Sequence, residues 1–463
     1  MKNSTIGAAA ARTALALAFA LAFTLPMHGG AHAAPAPALA APAAAPRLER
    51  AAIDVKGWAA GTRGGAGGAI VRVTNLNASG EGSFAAAAAT EGARIVVFEV
   101  GGVIDLQGAG IRIDKPYLTI AGQTAPHPGI TFIRGEFGVA THDVIVQHIA
   151  VRPGENGKAK KGGWEADGLS TGSAWNVIVD HCSFSWATDE NLSASGARFK
   201  GATPDEWRSG TSNRITFSHN IIAEGLRDST HRKGEHSKGT LVHDNAEKIL
   251  IYGNLYSANY ERSPLVKGGA RVAIVNNLIH NPGAKAIHYN LIAHEWGEHP
   301  WQTGRVTMVG NVYRAGIDTL AQTPLFSLGG AGDVSVFMRD NIAIDPNGLP
   351  LPLTGRYTAS SASIVAAAEP YLPDGLTPIP AAELENAIYA SAGMRPWARD
   401  AIDFKIISDV AEGRGHIVDS EAQSSGYPAY APTRQGFDPA AWNLDDMSPK
   451  AGWHSLAGKA PGK

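Results

Sequence analysis

The sequence predicts an all-β protein whose body is one right-handed parallel β-helix, a solenoid, followed by a C-terminal extension. The first observation is a short recurring pattern: an apolar residue, another two positions on, then a small or amide residue three further. It appears as Val177/Val179/Cys182, Ile215/Phe217/Asn220, Ile249/Ile251/Asn254, Val272/Ile274/Asn277, Val306/Met308/Asn311 and Val336/Met338/Asn341, with Val144/Val146/Ile149 opening the series. The second is the spacing between rungs, which from Ile149 to Asn341 runs 33, 38, 34, 23, 34 and 30 residues. The third is composition: glycine is abundant, at 54 residues, while long stretches of 3.6-residue apolar periodicity are few.

Each observation has a physical reading. Apolar residues two apart point to one face of a strand. An Asn after such a strand can adopt left-handed geometry and hydrogen-bond nearby backbone, and stacked amides in successive coils can pair into a ladder. A strict leucine-rich or ankyrin repeat holds its period far more tightly. Fixed inner strands with variable loops suit a parallel β-helix. The competing antiparallel sandwich needs hairpin Asn-Gly and Asp-Gly turns at short spacing, and these are scarce.

The elements follow in chain order. Lys2 and Arg12, an apolar run over 13–26 and Ala31-His32-Ala33 predict a signal peptide over 1–33. Residues 34–48, mostly Ala and Pro, read as a stiff linker. The solenoid is expected over 49–345, with early strands near 95–100 and 117–121. The glycines of 61–68 read as turns entering the first coil. Residues 346–463 form the extension that caps or packs on the solenoid, with helices near 380–392 and 400–410. The leader predicts a secreted protein, extracellular or periplasmic in a Gram-negative host. Forty basic against forty-two acidic side chains predict neither a nucleic-acid nor a membrane partner, and a monomer is expected. Cys182 is the one cysteine, so stability rests on burial and backbone hydrogen bonds rather than disulfides.

Function on a solenoid sits in a groove where loops of successive coils meet. Asp167 and Asp189 fall in consecutive coils, with Glu190 beside the second. Grouped acids without Cys partners suit a hard cation such as Ca²⁺. Lys238, Arg262 and Lys267 follow in later coils. Acids followed by bases make a cleft for a polyanion bridged by calcium.

At these residues the chain resembles a known family. Asp180-His181-Cys182-Ser183-Phe184 after Val177-Ile178-Val179 is similar to a strand motif of the pectate lyases of polysaccharide lyase family 1, with Ile178 in place of a tryptophan. Tyr260-Glu261-Arg262-Ser263-Pro264-Leu265-Val266-Lys267 is similar to that family's RxPxxR signature. The resemblance covers about 57–345. It implies calcium-dependent β-elimination of polygalacturonate. Arg262 takes the C5 proton in that reading, and Lys238 binds a substrate carboxylate. Asp167 and Asp189 ligate calcium, and Lys267 contacts substrate. Apart from the resemblance, His231 and His236 read as substrate contacts because they fall in loops of the groove. Two departures stand out. Lys267 replaces the second arginine, turning a bidentate fork into a point charge. Ser193 replaces a third aspartate ligand, which leaves Glu190 as the candidate substitute.

Other features carry less chemistry. His231, His236 and His243 are rival bases by ordinary reasoning. His294 and His299 are five apart, where a zinc-protease helix needs four. Gly64–Gly68 lacks a dinucleotide-loop spacing. Asp180 and His181 read as braces of the coil and Cys182 as a core residue. Two other functions fit the same fold: a non-catalytic glycan-binding or adhesin-type protein, and a calcium-free pectin lyase acting on methyl-esterified pectin.

Overall fold

The structure, a computed structural model, describes residues 56–236 and 238–456; the expected signal peptide and linker lie outside them. Among the described residues, strands recur in sets of three per coil and stack into three long sheets of eleven, nine and ten strands, parallel throughout except that Thr433–Arg434 of the extension joins the ten-stranded sheet antiparallel. The register follows the repeat read from the sequence. Val144, Val177, Ile215, Ile249 and Val272 pair in one column, and Val146, Val179, Phe217, Ile251 and Ile274 in another. All ten are buried in one continuous core. The period of two is therefore an inward-facing column, and each coil supplies one rung to it.

The amide ladder stacks beside these columns. The backbone N–H of Cys182 donates to Asn220 Oδ1 at 2.8 Å, and Asn220, Asn254, Asn277 and Asn311 each donate Nδ2–H to the Oδ1 of the next rung at 2.9–3.0 Å. Buried amides satisfied along a row satisfy backbone groups at the corner of each coil as well. The left-handed residue is not the ladder amide, as expected, but the residue before it: His181, His219, Gly253, Asn276, Gly310 and Asp340 have φ of 50–66°. The corner turns one residue early, which leaves the amide inside.

The parallel pairing runs past residue 345. Thr354–Arg356 and Ser363–Ala366 join the nine- and eleven-stranded sheets, one coil beyond the last amide rung. Helices Leu384–Ser391 and Ala401–Ala411 then pack Leu384, Ile388, Ile402, Ile406 and Val410 on the outer face of the ten-stranded sheet. Arg152 fastens the second helix, with Nη1 2.7 Å from Asp400 and Nη2 2.8 Å from Asp403, all fully buried. Asp400 also caps that helix. Further on, Phe437, Trp442 and Met447 cover Ile95, Val97 and Ala121 on the eleven-stranded sheet. Among the described residues, no apolar cluster of the extension lies on the outer face of the nine-stranded sheet.

At the start, Gly65 and Gly68 lie so close to the backbone of Ala93 and Arg94 that a Cβ would fall 1.7 and 2.1 Å from carbonyl oxygens. The glycine-rich opening is a close backbone approach.

Candidate active site

The nine-stranded sheet brings the charged residues of the sequence into one file. Glu190 opens the strand Glu190–Ser195 and pairs in register with Lys238, the first residue of Lys238–Val242. Lys238 in turn bridges to Glu261, beside Arg262. Asp167 stands just before the strand Leu169–Gly172 and accepts the Glu190 N–H at 2.9 Å. Glu136, one coil earlier, accepts the Asp167 N–H at 3.3 Å.

The acidic end is a true cluster. Carboxylate oxygens of Asp167, Asp189 and Glu190 all lie within 4.8 Å of one another. Burial raises Asp167 well above the carboxylate range, and the charges of Asp189 and Glu136 add to this. Burial, aided by Asp189, raises Glu136 as well. Asp189 is opposed by burial too, yet His236, Arg262 and His231 hold it below its ordinary value. Crowded carboxylates whose protons are favoured are a site short of positive charge. Oxygen donors alone, with no thiol, suit Ca²⁺, so these residues fit the cation that the sequence implies. Ser193 Oγ lies 3.2 Å from Asp167 Oδ2 and 2.7 Å from Ser170 Oγ, bracing the first acid from the expected third-ligand position.

Glu190 has a second partner: its Oε1 meets Arg262 Nη1 directly. Arg262 is 18% exposed, and burial lowers its pKa against the pull of Asp189 and Asp167. Lys238 is buried and also lowered by burial, with Glu261 opposing. Its Nζ contacts Glu261 Oε1, while Lys285 Nζ contacts Glu261 Oε2. Burial works against the Glu261 charge, but Lys238, His288 and Lys285 bring its pKa down to about 2. Burial pushes His288 to about 3, so it is neutral.

Three sequence expectations sit differently here. His231 and His236 do not line an open groove. They are buried, stacked with centroids 3.7 Å apart, and turn Nε2 toward Asp189 at 3.6 and 2.7 Å. His231 Nδ1 accepts the Lys233 N–H at 3.1 Å, which puts the ring proton on Nε2, facing the carboxylate. The pair therefore orients Asp189. Lys267 is also withdrawn: its Nζ lies 3.2 Å from Asp244 Oδ2 and contacts Glu295, in a cluster completed by Arg198. Its ammonium is held by one buried acid, Asp244, and one half-buried acid, Glu295.

Asp180 braces rather than reacts. It is fully buried, meets His181 at 2.7 Å and Ser218 Oγ at 2.7 Å, and supports a stack of His148, His181 and His219. His243 belongs with Asp244, and burial takes it down to about 4. His299 stacks on Phe199 at 3.8 Å. The sequence did not single out Glu136, Glu261, Lys285, His288 or Tyr357. Glu261 alone carried a signal, as the neighbour of Arg262.

No family profile matches the chain. Among curated proteins it is 37% identical over 229 residues to a probable pectate lyase C of Emericella nidulans, covering 49% of this chain and 47% of that one. A probable pectate lyase C of Aspergillus oryzae is 36% identical over 265 residues, covering 57% and 54%. The chain thus spans about half the length of the curated relatives it matches. Among solved structures, a Bacillus subtilis pectate lyase variant superposes with a TM-score of 0.50 at 15% identity, over 73% of this chain and 96% of that one. A pectate lyase bound to a hexasaccharide gives 0.50 at 14%, over 74% and 97%. The chain is related in sequence to proteins named pectate lyases and shares with solved pectate lyases the parallel β-helix.

Proposed function

We propose that this protein is a secreted, calcium-dependent pectate lyase, acting as a monomer on polygalacturonate to release unsaturated oligogalacturonates. The observation that carries this is the placement of Arg262, with its pKa lowered by burial, against the cluster of Asp167, Asp189 and Glu190. Asp167, Asp189 and Glu190 would hold the cation, with His231 and His236 fixing Asp189. Bound calcium supplies positive charge at the uronate carboxylate, which acidifies the C5 proton.

The chain's own residues do the rest. Lys238 adds a second positive charge at that carboxylate. Arg262, neutral in the reactive fraction, takes the C5 proton; the C4–O bond breaks, a C4=C5 double bond forms, and the leaving oxygen takes a proton from water. An exposed arginine is always protonated, so burial is the condition of this role. Glu190 is shared between the acid cluster and Arg262. A cation held by the acid cluster would share the Glu190 charge and leave the guanidinium less of it.

The test is absorbance of the unsaturated uronate when purified protein meets polygalacturonate, with and without a chelator. Product formation that the chelator stops is expected. Product unaffected by chelator moves the protein to the calcium-free lyases, and binding without product makes it a glycan-binding protein.

A further inference from the structure

A polyuronate presents one carboxylate per ring, so a groove that holds it needs a second cationic contact besides Lys238. The sequence offered Lys267, but that ammonium is spoken for. Lys267 and Arg198 face Asp244 and Glu295, two cations against two anions, and the Lys267 side chain is 8% exposed. Trp296 Nε1 closes the far side of Asp244 at 2.9 Å. Freeing this lysine would strand a buried carboxylate.

The balance at Glu261 is different. One carboxylate lies between two ammonium groups, Lys238 on one oxygen and Lys285 on the other. His288, beside them, is neutral. The trio therefore carries one positive charge in excess. Lys238 is 4% exposed and Lys285 17%, so solvent reaches the excess charge through Lys285, on the Glu261 carboxylate beside Arg262. Its Nζ also lies 5.0 Å from the centre of the Tyr357 ring, and His288 meets the same ring edge-on at 5.7 Å. Tyr357 follows the strand Thr354–Arg356, beyond the last amide rung. Its ring packs over Gly329, where a Cβ would fall 2.3 Å from Cζ. Only a glycine leaves the ring there.

We propose that Lys285 is the second carboxylate-binding residue of the groove, taking the uronate next to the one at Arg262, and that Tyr357 is the positioning residue that holds its ammonium in place. This rests on the polygalacturonate reading above. A cation held by a ring face and shared by one carboxylate keeps its direction while retaining charge for a ligand.

The experiment is calorimetric binding of a non-cleavable oligogalacturonate, and of its methyl ester, to the whole protein with calcium present. Lys285→Met should weaken the acid by about ten- to a hundredfold, the loss of one charge-assisted contact. It should leave the ester little changed, so preference for the free acid collapses. Lys285→Arg should restore most of the affinity. Tyr357→Leu should raise KM more than it lowers kcat. Because Lys285→Met leaves Glu261 with one partner, the double variant Lys285→Met/Glu261→Gln is read against Glu261→Gln alone, and thermal melting checks that each is folded. Wild-type affinity in Lys285→Met, or an equal loss for acid and ester, overturns the proposal. A wild-type protein that binds no oligogalacturonate overturns the pectate reading itself, an outcome distinct from either.

Discussion

Replacing Arg262 by lysine isolates the proton-transfer step. Arg262 is held in left-handed backbone geometry, with φ of 65°, and its Nη1 lies on Glu190. A lysine there keeps a positive charge for Glu190 but presents one nitrogen on a flexible stem instead of a planar fork. General-base catalysis contributes about 10²–10⁴-fold, and the substitution removes most of it. The expected loss in kcat is at least about a thousandfold, or about 4 kcal/mol of transition-state stabilisation. Oligogalacturonate affinity should persist, because Lys238 remains. The pH profile carries the sign. Burial lowers the Arg262 pKa, and the rate should rise with pH above neutrality as the neutral guanidine fraction grows. The rival bases are poorly placed: His231 and His236 turn their protonated edges to Asp189, and His243 lies with Asp244. Steady-state kcat against pH for wild type, Arg262→Lys and the three His→Ala variants decides the matter. A plateau near pH 7, an active Arg262→Lys and a dead His→Ala variant together would refute the arginine base.

Asp167→Ala should weaken calcium binding by at least about tenfold, because it removes one charged ligand; Ser193→Asp should tighten it, and calorimetry of wild type and both variants checks the order. Calcium affinity should fall as pH drops from 8 toward 5, since burial raises Asp167 above the ordinary carboxylate range and protons compete for its oxygens; titrations at pH 5 and 8 that agree within error would contradict it. Arg152→Met should cost about 3–5 kcal/mol by stranding Asp400 and Asp403 in the core, read as a lower denaturant midpoint and earlier proteolytic release of the C-terminal helices. Glu261, depressed from 4.5 to about 2, contributes stability that is present above about pH 4.5 and lost as pH falls toward 2. Because burial simultaneously disfavours the Lys238 ammonium, the net figure is below the ~3 kcal/mol the shift alone would give. Glu261→Gln should flatten the acid limb of an equilibrium unfolding series.

The inner wall of the solenoid was legible because it is periodic. An apolar pair and an amide mark each coil, and the columns from Val144 to Val272 and the ladder from Asn220 to Asn341 follow from that pattern alone. The groove was legible only in part. Asp167, Asp189, Lys238 and Arg262 stood out as charges in successive coils and took their roles from the family resemblance, and the structure brings them together at the starts of neighbouring strands of the nine-stranded sheet. What failed was the assignment of partners. Coils of 23 to 38 residues hide which loop residue stands over which, so nothing in the sequence shows that Lys267 meets Asp244 and Glu295 or that His231 stacks on His236. Tyr357 was further out of reach, since it enters from a coil that has no amide rung.

Glu136, Asp167, Asp189 and Glu190 put four carboxylates at one end, with Arg262 in direct contact with Glu190. Lys238 and Lys285 against Glu261 leave the other end positive. Evolution of a simple anion-binding surface has no use for the first end, since carboxylates repel the ligand. A simple cation site has no use for the second. Both ends are satisfied by a ligand that is anionic throughout and bridged to the acids by a divalent cation, which makes cation and polyanion mutually dependent. Each should raise the affinity of the other by the same factor, because coupling between two sites is reciprocal. Calcium affinity measured with and without a non-cleavable oligogalacturonate, and oligogalacturonate affinity measured with and without calcium, should therefore shift together. Independent affinities would mean that the two ends do not share one ligand, and the groove would have to be read as two separate sites.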